Sequence, residues 1–334
     1  MNEVKTIRNT SIDSGRFIAA FLVVCLHTHF PINFLGAYIA DIAKIAVPFF
    51  LMVSGFYLFS ESEDIVLKRS ANSIKKISLI LLQAGIIYAL LRIYKHYYLG
   101  IDISSQSFNL LPFLIFNDFN FTEHLWYVFA YLYDLIVIWF FCKLKRFKYL
   151  LYALPILILL YYVFTLWSRF ISFTDGKFWF EFNWLVIGMP FVVTGMFLKK
   201  NFEWVNKINH KYLVVLIIIF FLLIFGEHYA FKLFVGNGPG VFSIQFLAIA
   251  LFIYCTFNLS IFNNKLNFIL SDLGKKHALN IYLYHILVRE IITINNGSAF
   301  FNNSITIFAI TLIISMSIES IKSFINSKLN LSSN

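Results

Sequence analysis

Charged residues are scarce in this chain. Asp, Glu, Lys and Arg make up 13% of its 334 residues, whereas 60% are hydrophobic. In a soluble globular domain about a quarter of the residues are charged and about half are apolar. The composition therefore excludes an ordinary soluble enzyme, and it predicts an all-α, polytopic membrane protein.

Cysteine is also rare, and its placement excludes two kinds of site. Cys25, Cys142 and Cys255 each lie inside an apolar run, and their spacing follows no pattern. Such an arrangement fits neither a disulfide framework nor a metal-binding motif. We therefore expect three buried cysteines that behave as small apolar residues, and no bound metal.

Long apolar stretches are what the chain has in abundance. Ten of them approach the roughly 20 residues that a helix needs to cross a bilayer. They cover residues 17–35, 45–59, 74–94, 125–142, 149–167, 182–198, 212–225, 240–258, 277–292 and 303–321. No internal repeat and no appended soluble domain is visible, so we expect about ten transmembrane helices in a single membrane domain, residues 1–334.

The positive charges fall mainly on one side of these ten segments. Most of the 27 Lys and Arg residues lie in segments that share a side with the N-terminus. Because cytoplasmic loops carry the excess of Lys and Arg, this distribution predicts that both termini are cytoplasmic. The net charge of +10 is spread over all the inner segments rather than gathered into one patch, which argues against a nucleic-acid partner.

The first apolar segment carries two ionisable side chains that a plain membrane anchor does not need. In "DSGRFIAAFLVVCLHTHF", Arg16 and His27 stand eleven positions apart. On a helix they share one face to within about 20° and are separated by about 16 Å along the axis. Asp13, one turn before Arg16, is placed to orient its guanidinium.

Two interpretations of this face are open. In the first, Arg16 is an interfacial anchor and His27 is a packing residue. In the second, Arg16 holds the anionic end of a ligand whose reactive end lies near His27, since an ionisable side chain within a membrane segment normally faces protein or a watery cavity. A long acyl carrier with phosphates at one end fits the second interpretation.

A second cationic cluster precedes the third apolar segment, in "LKRSANSIKKISLI". It includes Arg69, Lys75 and Lys76. Positive-inside charge or contact with lipid headgroups would explain such a cluster. The alternative is that Lys76, with Lys75 or Arg69, helps to hold the same anionic carrier.

Five short motifs, in order along the chain, are similar to those of the membrane-bound acyltransferase-3 superfamily. They are "DSGRFIAAFLVVCLH", "VPFFLMVSGFYLF", "HLWYVFAYLY", "MPFVVTGMFL" and "DLGKKHALNIYLYH". The resemblance extends over about residues 11–320. This superfamily includes bacterial O-acyltransferases of surface glycans, usually with about ten core spans. Where its members often have two arginines three positions apart, this chain has Ser73 and Lys76.

The resemblance implies an integral-membrane O-acyltransferase in the plasma membrane of a bacterium. The group transferred would be an acyl group other than an aminoacyl group, most simply acetyl, and the donor would be acyl-CoA. The acceptor would be a sugar hydroxyl of a cell-surface polysaccharide or of its lipid-linked precursor, made by other polysaccharide-biosynthesis proteins. Arg16 and His27 fall on the two positions that the superfamily associates with acyl transfer.

Within that mechanism His27 is the expected general base, because a neutral imidazole, with an ordinary pKa of about 6.5, can accept a hydroxyl proton. Arg16, Asp13, Lys76 and Arg69 are expected to form the binding site for the donor's phosphates. No serine or cysteine stands out as a nucleophile. Direct transfer is therefore favoured, with an acyl-histidine step as the alternative.

Several further polar and aromatic residues are candidates for the acceptor site. They are His124, Trp126, Tyr127, Glu227, Tyr282 and His285. The first three also fit an aromatic belt at the membrane interface. The glutamate also fits an ordinary loop charge, and the last two also fit structural hydrogen bonds between helices.

Transport is the main alternative function. A transporter or flippase of a glycan or a lipid-linked sugar would also need many spans with buried polar residues. Secondary transporters often contain internal repeats, and none is visible here. Replacement of His27 by Ala separates the two functions, because a transferase should lose acylation and a transporter should lose export.

Overall fold

The structure is a computed structural model, and it describes most of the chain. The described residues are 9–101, 110–117, 123–170, 182–234, 242–258, 263–294 and 301–331. Within these ranges the regular backbone is helical and no strand occurs. Both termini were predicted to be cytoplasmic. They lie outside the described residues, so this orientation stays a prediction.

Fourteen α-helices occur in the described ranges. In chain order, α1 to α14 are Thr10–His27, Asn33–Ala43, Ala46–Leu58, Glu63–Leu99, Leu110–Phe116, Trp126–Lys143, Phe147–Tyr152, Leu154–Phe170, Met189–Lys200, Phe202–Val205, His210–Phe234, Phe242–Thr256, Asn264–Ile294 and Ser304–Leu331. A 3-10 turn, Glu123–Leu125, leads into α6, and a π-helical segment, Trp184–Gly188, leads into α9.

Many of these helices are suited to a lipid environment. Among the described residues, six candidate membrane spans are long and apolar enough to cross a bilayer, namely Thr10–His27, Tyr38–Leu58, Glu63–Leu99, Trp126–Lys143, His210–Ala230 and Ser304–Asn326. Two shorter apolar helices cover Leu154–Leu166 and Phe242–Thr256. Each of the ten predicted segments overlaps a helix. The prediction of an all-α, polytopic membrane protein is confirmed.

The first helix differs from the predicted segment at both ends. It begins at Thr10 rather than at residue 17, because Asn9 caps it and accepts a hydrogen bond from the amide of Ile12 at 2.9 Å. It ends at His27 rather than at residue 35, since Thr28 is extended. His27 therefore lies at the C-terminal end of the helix and not in its middle, where the predicted boundaries had placed it.

The third predicted segment is also longer than expected. Helix α4 begins at Glu63, and its first turn is acidic, which suits the positive end of the helix dipole. It ends at Leu99, and the next residue, Gly100, caps it with a φ of 65° that glycine adopts at little cost. The cationic cluster predicted before the segment is thus part of the helix itself.

The helices divide into two compact units. The first unit takes its residues from 1–46, 210–221 and 247–334, and the second from 47–209 and 222–246. Arg16, His27 and His285 belong to the first unit. The cationic cluster of α4 belongs to the second.

In the first unit α1 packs closely along α13. A Cβ built on Gly274 of α13 would overlap the carbonyl oxygen of Asp13. Beside this contact, Ser14 Oγ donates hydrogen bonds to the backbone oxygen and to Oδ1 of Asn267, both at 3.0 Å. Ser14, in the polar first turns of α1, is therefore hydrogen-bonded to α13, which helps the helix to begin before its apolar stretch.

In the second unit two glycines bring α3 and α9 together. A Cβ on Gly55 of α3 would overlap the carbonyl oxygen of Val192, and a Cβ on Gly195 of α9 would overlap that of Met52. Both glycines belong to motifs that carried the family resemblance. Their close packing is the small-residue contact through which membrane helices approach one another.

The π-helical segment before α9 packs against a buried carboxyl group. Asn183 Oδ1 accepts hydrogen bonds from the amides of Leu185 and Val186, both at 2.9 Å, and so begins the segment. At its end, Gly188 leaves the space that Asp134 of α6 occupies, since a Cβ there would overlap the carboxyl group.

Candidate active site

At the N-terminal end of the α1 face that carries the predicted site, a buried carboxylate is hydrogen-bonded to Arg16. Asp13 is buried, and its Oδ1 accepts a hydrogen bond from Nη1 of Arg16 at 3.2 Å. The Arg16 side chain keeps 27% of its surface exposed. Asp13 thus orients the guanidinium, as the spacing predicted, and the remaining fork of donors can reach an anionic ligand.

The other end of the same face is formed by two histidines. The imidazole rings of His27, on α1, and His285, on α13, lie 5.3 Å apart between centroids and are tilted by 41°. His27 is partly buried and His285 is fully buried. The structure therefore joins two sequence candidates that were predicted separately, one as the base and the other as an acceptor contact.

The ring of His285 is oriented by its own helix. Its Nδ1 lies 2.8 Å from the carbonyl oxygen of Tyr282 and 3.1 Å from that of Ile281. A carbonyl oxygen can only accept, so Nδ1 carries a hydrogen and donates it. In the neutral ring Nε2 is then the nitrogen with the lone pair. Tyr282 is buried beside this ring, with 6.2 Å between the ring centroids.

Arg289 is the residue of this site that sequence reasoning missed. It lies one turn after His285, and its Nη1 donates a hydrogen bond to the carbonyl oxygen of His27 at 2.8 Å. Its Nη2 donates to Oε1 of Glu290, also at 2.8 Å. The available signal was the spacing: an arginine four positions after a candidate histidine lies on the same helix face.

The cationic residues of α4 occupy a different setting. Arg69 donates from Nη1 to the carbonyl oxygens of Phe59 at 2.8 Å and Tyr57 at 3.3 Å, so it caps the end of α3. Lys76 is exposed on the surface of α4. Both residues belong to the second unit, and their role in holding an acyl carrier stays a prediction.

The aromatic candidates are also in the second unit, and they are buried. His124 packs edge-on against Tyr88, with 4.9 Å between ring centroids. Trp126 packs against Phe182 at 5.3 Å and Tyr127 against Phe50 at 6.2 Å. Packing alone therefore accounts for the positions of these three side chains. A sugar-stacking role for them stays a prediction.

Glu227 is engaged at the start of a helix. Its Oε1 accepts hydrogen bonds from the hydroxyl of Ser243 at 2.8 Å and from the amide of Ser243 at 3.1 Å. Its Oε2 lies 3.2 Å from the same amide. Because Ser243 is in the first turn of α12, the carboxylate satisfies one backbone donor that the helix leaves open. An acceptor contact by Glu227 stays a prediction.

Comparison with known proteins now identifies the family. The sequence profile described as an acyltransferase domain matches residues 9–321. The chain belongs to the acyltransferase-3 superfamily. The resemblance read from the five motifs is thereby confirmed, and it extends over nearly the same residues as the profile. No solved structure is a significant match to the chain.

Two curated proteins are partly similar to this acyltransferase-3 chain. An amino-acid racemase of Enterococcus faecalis is 35% identical over 146 residues, which is 42% of this chain and 19% of the racemase. A serine/alanine racemase of Enterococcus gallinarum is 32% identical over 130 residues, 36% of this chain and 18% of that protein. The chain thus matches less than a fifth of the length of each relative.

Proposed function

We propose that this chain is an integral-membrane O-acyltransferase. It moves an acyl group, most simply acetyl, from acyl-CoA to a sugar hydroxyl of a cell-surface polysaccharide or of its lipid-linked precursor. The observation that carries the proposal is one face of α1, which carries the oriented Arg16 and, about 16 Å further along the helix axis, His27, whose ring lies beside that of His285 on α13. Membership of the acyltransferase-3 superfamily supports the type of reaction.

The arginine end of this face suits the phosphates of the donor. Arg16 is oriented by Asp13 and still has exposed surface, so its planar fork can pair with phosphate oxygens. The donor supplies the activated thioester, and the protein's part is to hold it so that the acyl carbon lies near the histidine end.

The histidine end suits proton transfer. In the proposed step the imidazole of His27 takes the proton of the sugar hydroxyl while the oxygen attacks the thioester carbonyl carbon. A C–O bond forms and the C–S bond breaks. The imidazolium of His27 then returns the proton to the departing sulfur, so the products are the O-acyl sugar and free CoA. His285 supports His27 from α13, with its own tautomer set by the carbonyl oxygen of Tyr282.

The proposed cellular setting is supported by the organisms of the relatives. Both curated relatives come from Enterococcus, and we infer a bacterial plasma membrane as the location. With a sugar as the acceptor, the chain would act alongside other polysaccharide-biosynthesis proteins. The racemase names do not extend to this chain, because the matched stretch is less than a fifth of each racemase.

The test compares the surface polysaccharide of three strains: wild type, a gene deletion, and the deletion complemented with His27→Ala at matched membrane level. NMR and mass analysis of the polymer are expected to show an O-acyl group in the wild type that is missing from the other two. The mass of the lost group then identifies the donor. Loss of surface polymer rather than of its acyl group would instead favour a transporter or flippase, and an unchanged acyl signal in His27→Ala would overturn the mechanism.

A further inference from the structure

We propose that Arg289 is the positioning residue for His27, and this inference rests on the proposed acyl transfer. Arg289 holds the helix end that carries the base, from the neighbouring helix α13. It is distinct from Arg16, which is proposed to hold the donor at the other end of α1. The two arginines would then have separable effects on catalysis.

The contact is made at the last residue of α1. The final carbonyl oxygens of a helix have no partner within the helix, and a cation near them is favoured by the helix dipole. The Arg289 guanidinium meets this need at His27 itself, with Nη1 at 2.8 Å from its carbonyl oxygen. The residue that carries the proposed base is thus fixed through its own backbone.

Two other contacts hold the same end of α1. The hydroxyl of Thr28 donates to the carbonyl oxygen of Val24 at 2.6 Å. Ser304, at the start of α14, donates from its amide to the carbonyl oxygen of His29 at 2.9 Å and from its hydroxyl to the same oxygen at 3.0 Å. Ser304 of α14 is therefore hydrogen-bonded to the turn after His27, while Arg289 of α13 is hydrogen-bonded to His27 itself.

The arrangement couples both histidines to one helix. His285 and Arg289 lie one turn apart on α13. His285 contacts the ring of His27, and Arg289 contacts the backbone of His27. Glu290 accepts from the second terminal nitrogen of Arg289 and so orients the guanidinium. A displacement of Arg289 would move the imidazole of His27 relative to that of His285. Misplacement of a catalytic group by about 1 Å costs on the order of 100-fold in rate.

The first test is kinetic and uses membranes that contain each variant at matched level. The substrates are radiolabelled acetyl-CoA and de-O-acylated polysaccharide from the deletion strain. Arg289→Gln is expected to lower kcat about 10-fold to 100-fold while KM for acetyl-CoA changes less than about twofold. Arg289→Lys, which keeps the charge but not the fork, should fall between Arg289→Gln and wild type. A rise in KM with unchanged kcat would overturn the proposal, since Arg289 would then be a binding residue.

The matched control is Lys276→Gln. Lys276 is on the same helix and pairs with Asp272 at 2.8 Å, and both side chains are exposed. This variant also removes one positive charge and one ion pair, and kcat should stay within about twofold of wild type. Glu290→Gln keeps Arg289 in place but weakens its orientation, and a smaller loss of kcat is expected. Wild-type kcat in both Arg289→Gln and Arg289→Lys would overturn the proposal.

The second test does not depend on activity. The purified protein is labelled with ¹⁵N in its eight histidine rings, and the signals of His27 are assigned by their absence in His27→Asn. Arg289→Gln should shift or broaden the ring signals of His27, whereas Lys276→Gln should not. Unmoved His27 signals would overturn the inference. If instead the His27 signals move and the wild-type protein transfers no acyl group, the proposed function fails while the link between Arg289 and His27 stands.

Discussion

The imidazole ring of His285 on α13 lies 5.3 Å from the ring of His27 on α1, and the hydrogen on its Nδ1 is directed to the backbone of α13 itself. The two rings come from residues that are 258 positions apart in the sequence. They meet because α1 and α13 pack along each other. The proposed base therefore depends on a partner that its own helix does not supply.

Substitution of either histidine should reduce acyl transfer, but by different amounts. His27→Ala removes the general base, and a positioned acid or base contributes about 100-fold to 10,000-fold in rate. His285→Ala leaves that base present but without its neighbour, so a smaller loss is expected. The measurement is kcat in membranes at matched protein level, with acetyl-CoA as the donor.

The control for the histidine pair is His96→Ala. His96 lies near the end of α4, and its Nδ1 contacts the carbonyl oxygen of Ile101 at 3.3 Å in an exposed setting. The His96→Ala substitution removes an imidazole that is not part of the proposed site, so kcat should remain at the wild-type level. A larger loss of kcat in His285→Ala than in His27→Ala would reverse the roles that we assign to the two rings.

Gly274 should be intolerant of any side chain. Its missing Cβ is what allows α13 to lie against the carbonyl oxygen of Asp13, and backbone cannot move aside as a flexible side chain can. Overpacking of this kind costs about 1–3 kcal/mol. Gly274→Ala should therefore lower the thermal unfolding temperature in detergent and also reduce acyl transfer, since α1 carries the proposed site.

A matched control for Gly274→Ala is Gly85→Ala. Gly85 lies in the interior of α4, and among the described residues no heavy atom outside the helix's own backbone and the two chain neighbours would lie within 4 Å of a Cβ there. Alanine in a helix interior is favoured over glycine by about 0.5–1 kcal/mol. Gly85→Ala is therefore expected to keep or slightly raise the unfolding temperature. Equal destabilisation by both substitutions would show that the contact with Asp13 does not decide the result.

The contact between α3 and α9 should behave as one interface. Gly55→Ala and Gly195→Ala each insert a methyl group against a carbonyl oxygen of the facing helix. Each alone should destabilise the fold by about 1–3 kcal/mol. Once either methyl group has pushed the helices apart, the second has less to disturb, so the double variant should lose less than the sum of the two. Thermal unfolding of the four proteins measures this coupling, and strict additivity would count against a shared interface.

The membrane class and the helical segments could be predicted because they depend on composition and on long apolar runs. The start of α1 at Thr10 could not, since its first turns are polar and the apolar run does not include them, whereas in the structure Asn267 of α13 accepts hydrogen bonds from the hydroxyl of Ser14. The same limit applies to His27 and His285. Each was visible as a polar residue in an apolar stretch, but their pairing depends on helix packing that no local pattern encodes.

Arg289 was missed for a related reason. In the sequence it is one charge near the end of an apolar segment, which fits an ordinary membrane-interface residue. Its contact is with a backbone carbonyl oxygen, and a sequence pattern gives no indication of which carbonyl groups lack a partner. Asp13 and Arg16, by contrast, are three positions apart on one helix, and their contact follows from local geometry alone.

Arg16 should control donor binding rather than the chemical step. Arg16→Gln removes the charge proposed to pair with the donor's phosphates, and hydrogen bonds to charged groups are worth about 1.5–3 kcal/mol. KM for acetyl-CoA should therefore rise about 10-fold or more, with a smaller change in kcat. Arg16→Lys keeps the charge but not the planar fork, so its KM should lie between those of wild type and Arg16→Gln.

Asp13→Asn separates orientation from charge in the same site. It preserves the shape of Asp13 beside Gly274 and leaves Arg16 positively charged, but it weakens the hydrogen bond that orients the guanidinium. KM for acetyl-CoA should rise less than in Arg16→Gln. Raised salt should increase KM in the wild type more than in Arg16→Gln, because salt screens a charge pair that the variant lacks. If Arg16→Gln lowers kcat and leaves both KM and its salt dependence unchanged, Arg16 is not the donor's anchor, and an interfacial role for this arginine becomes the better account.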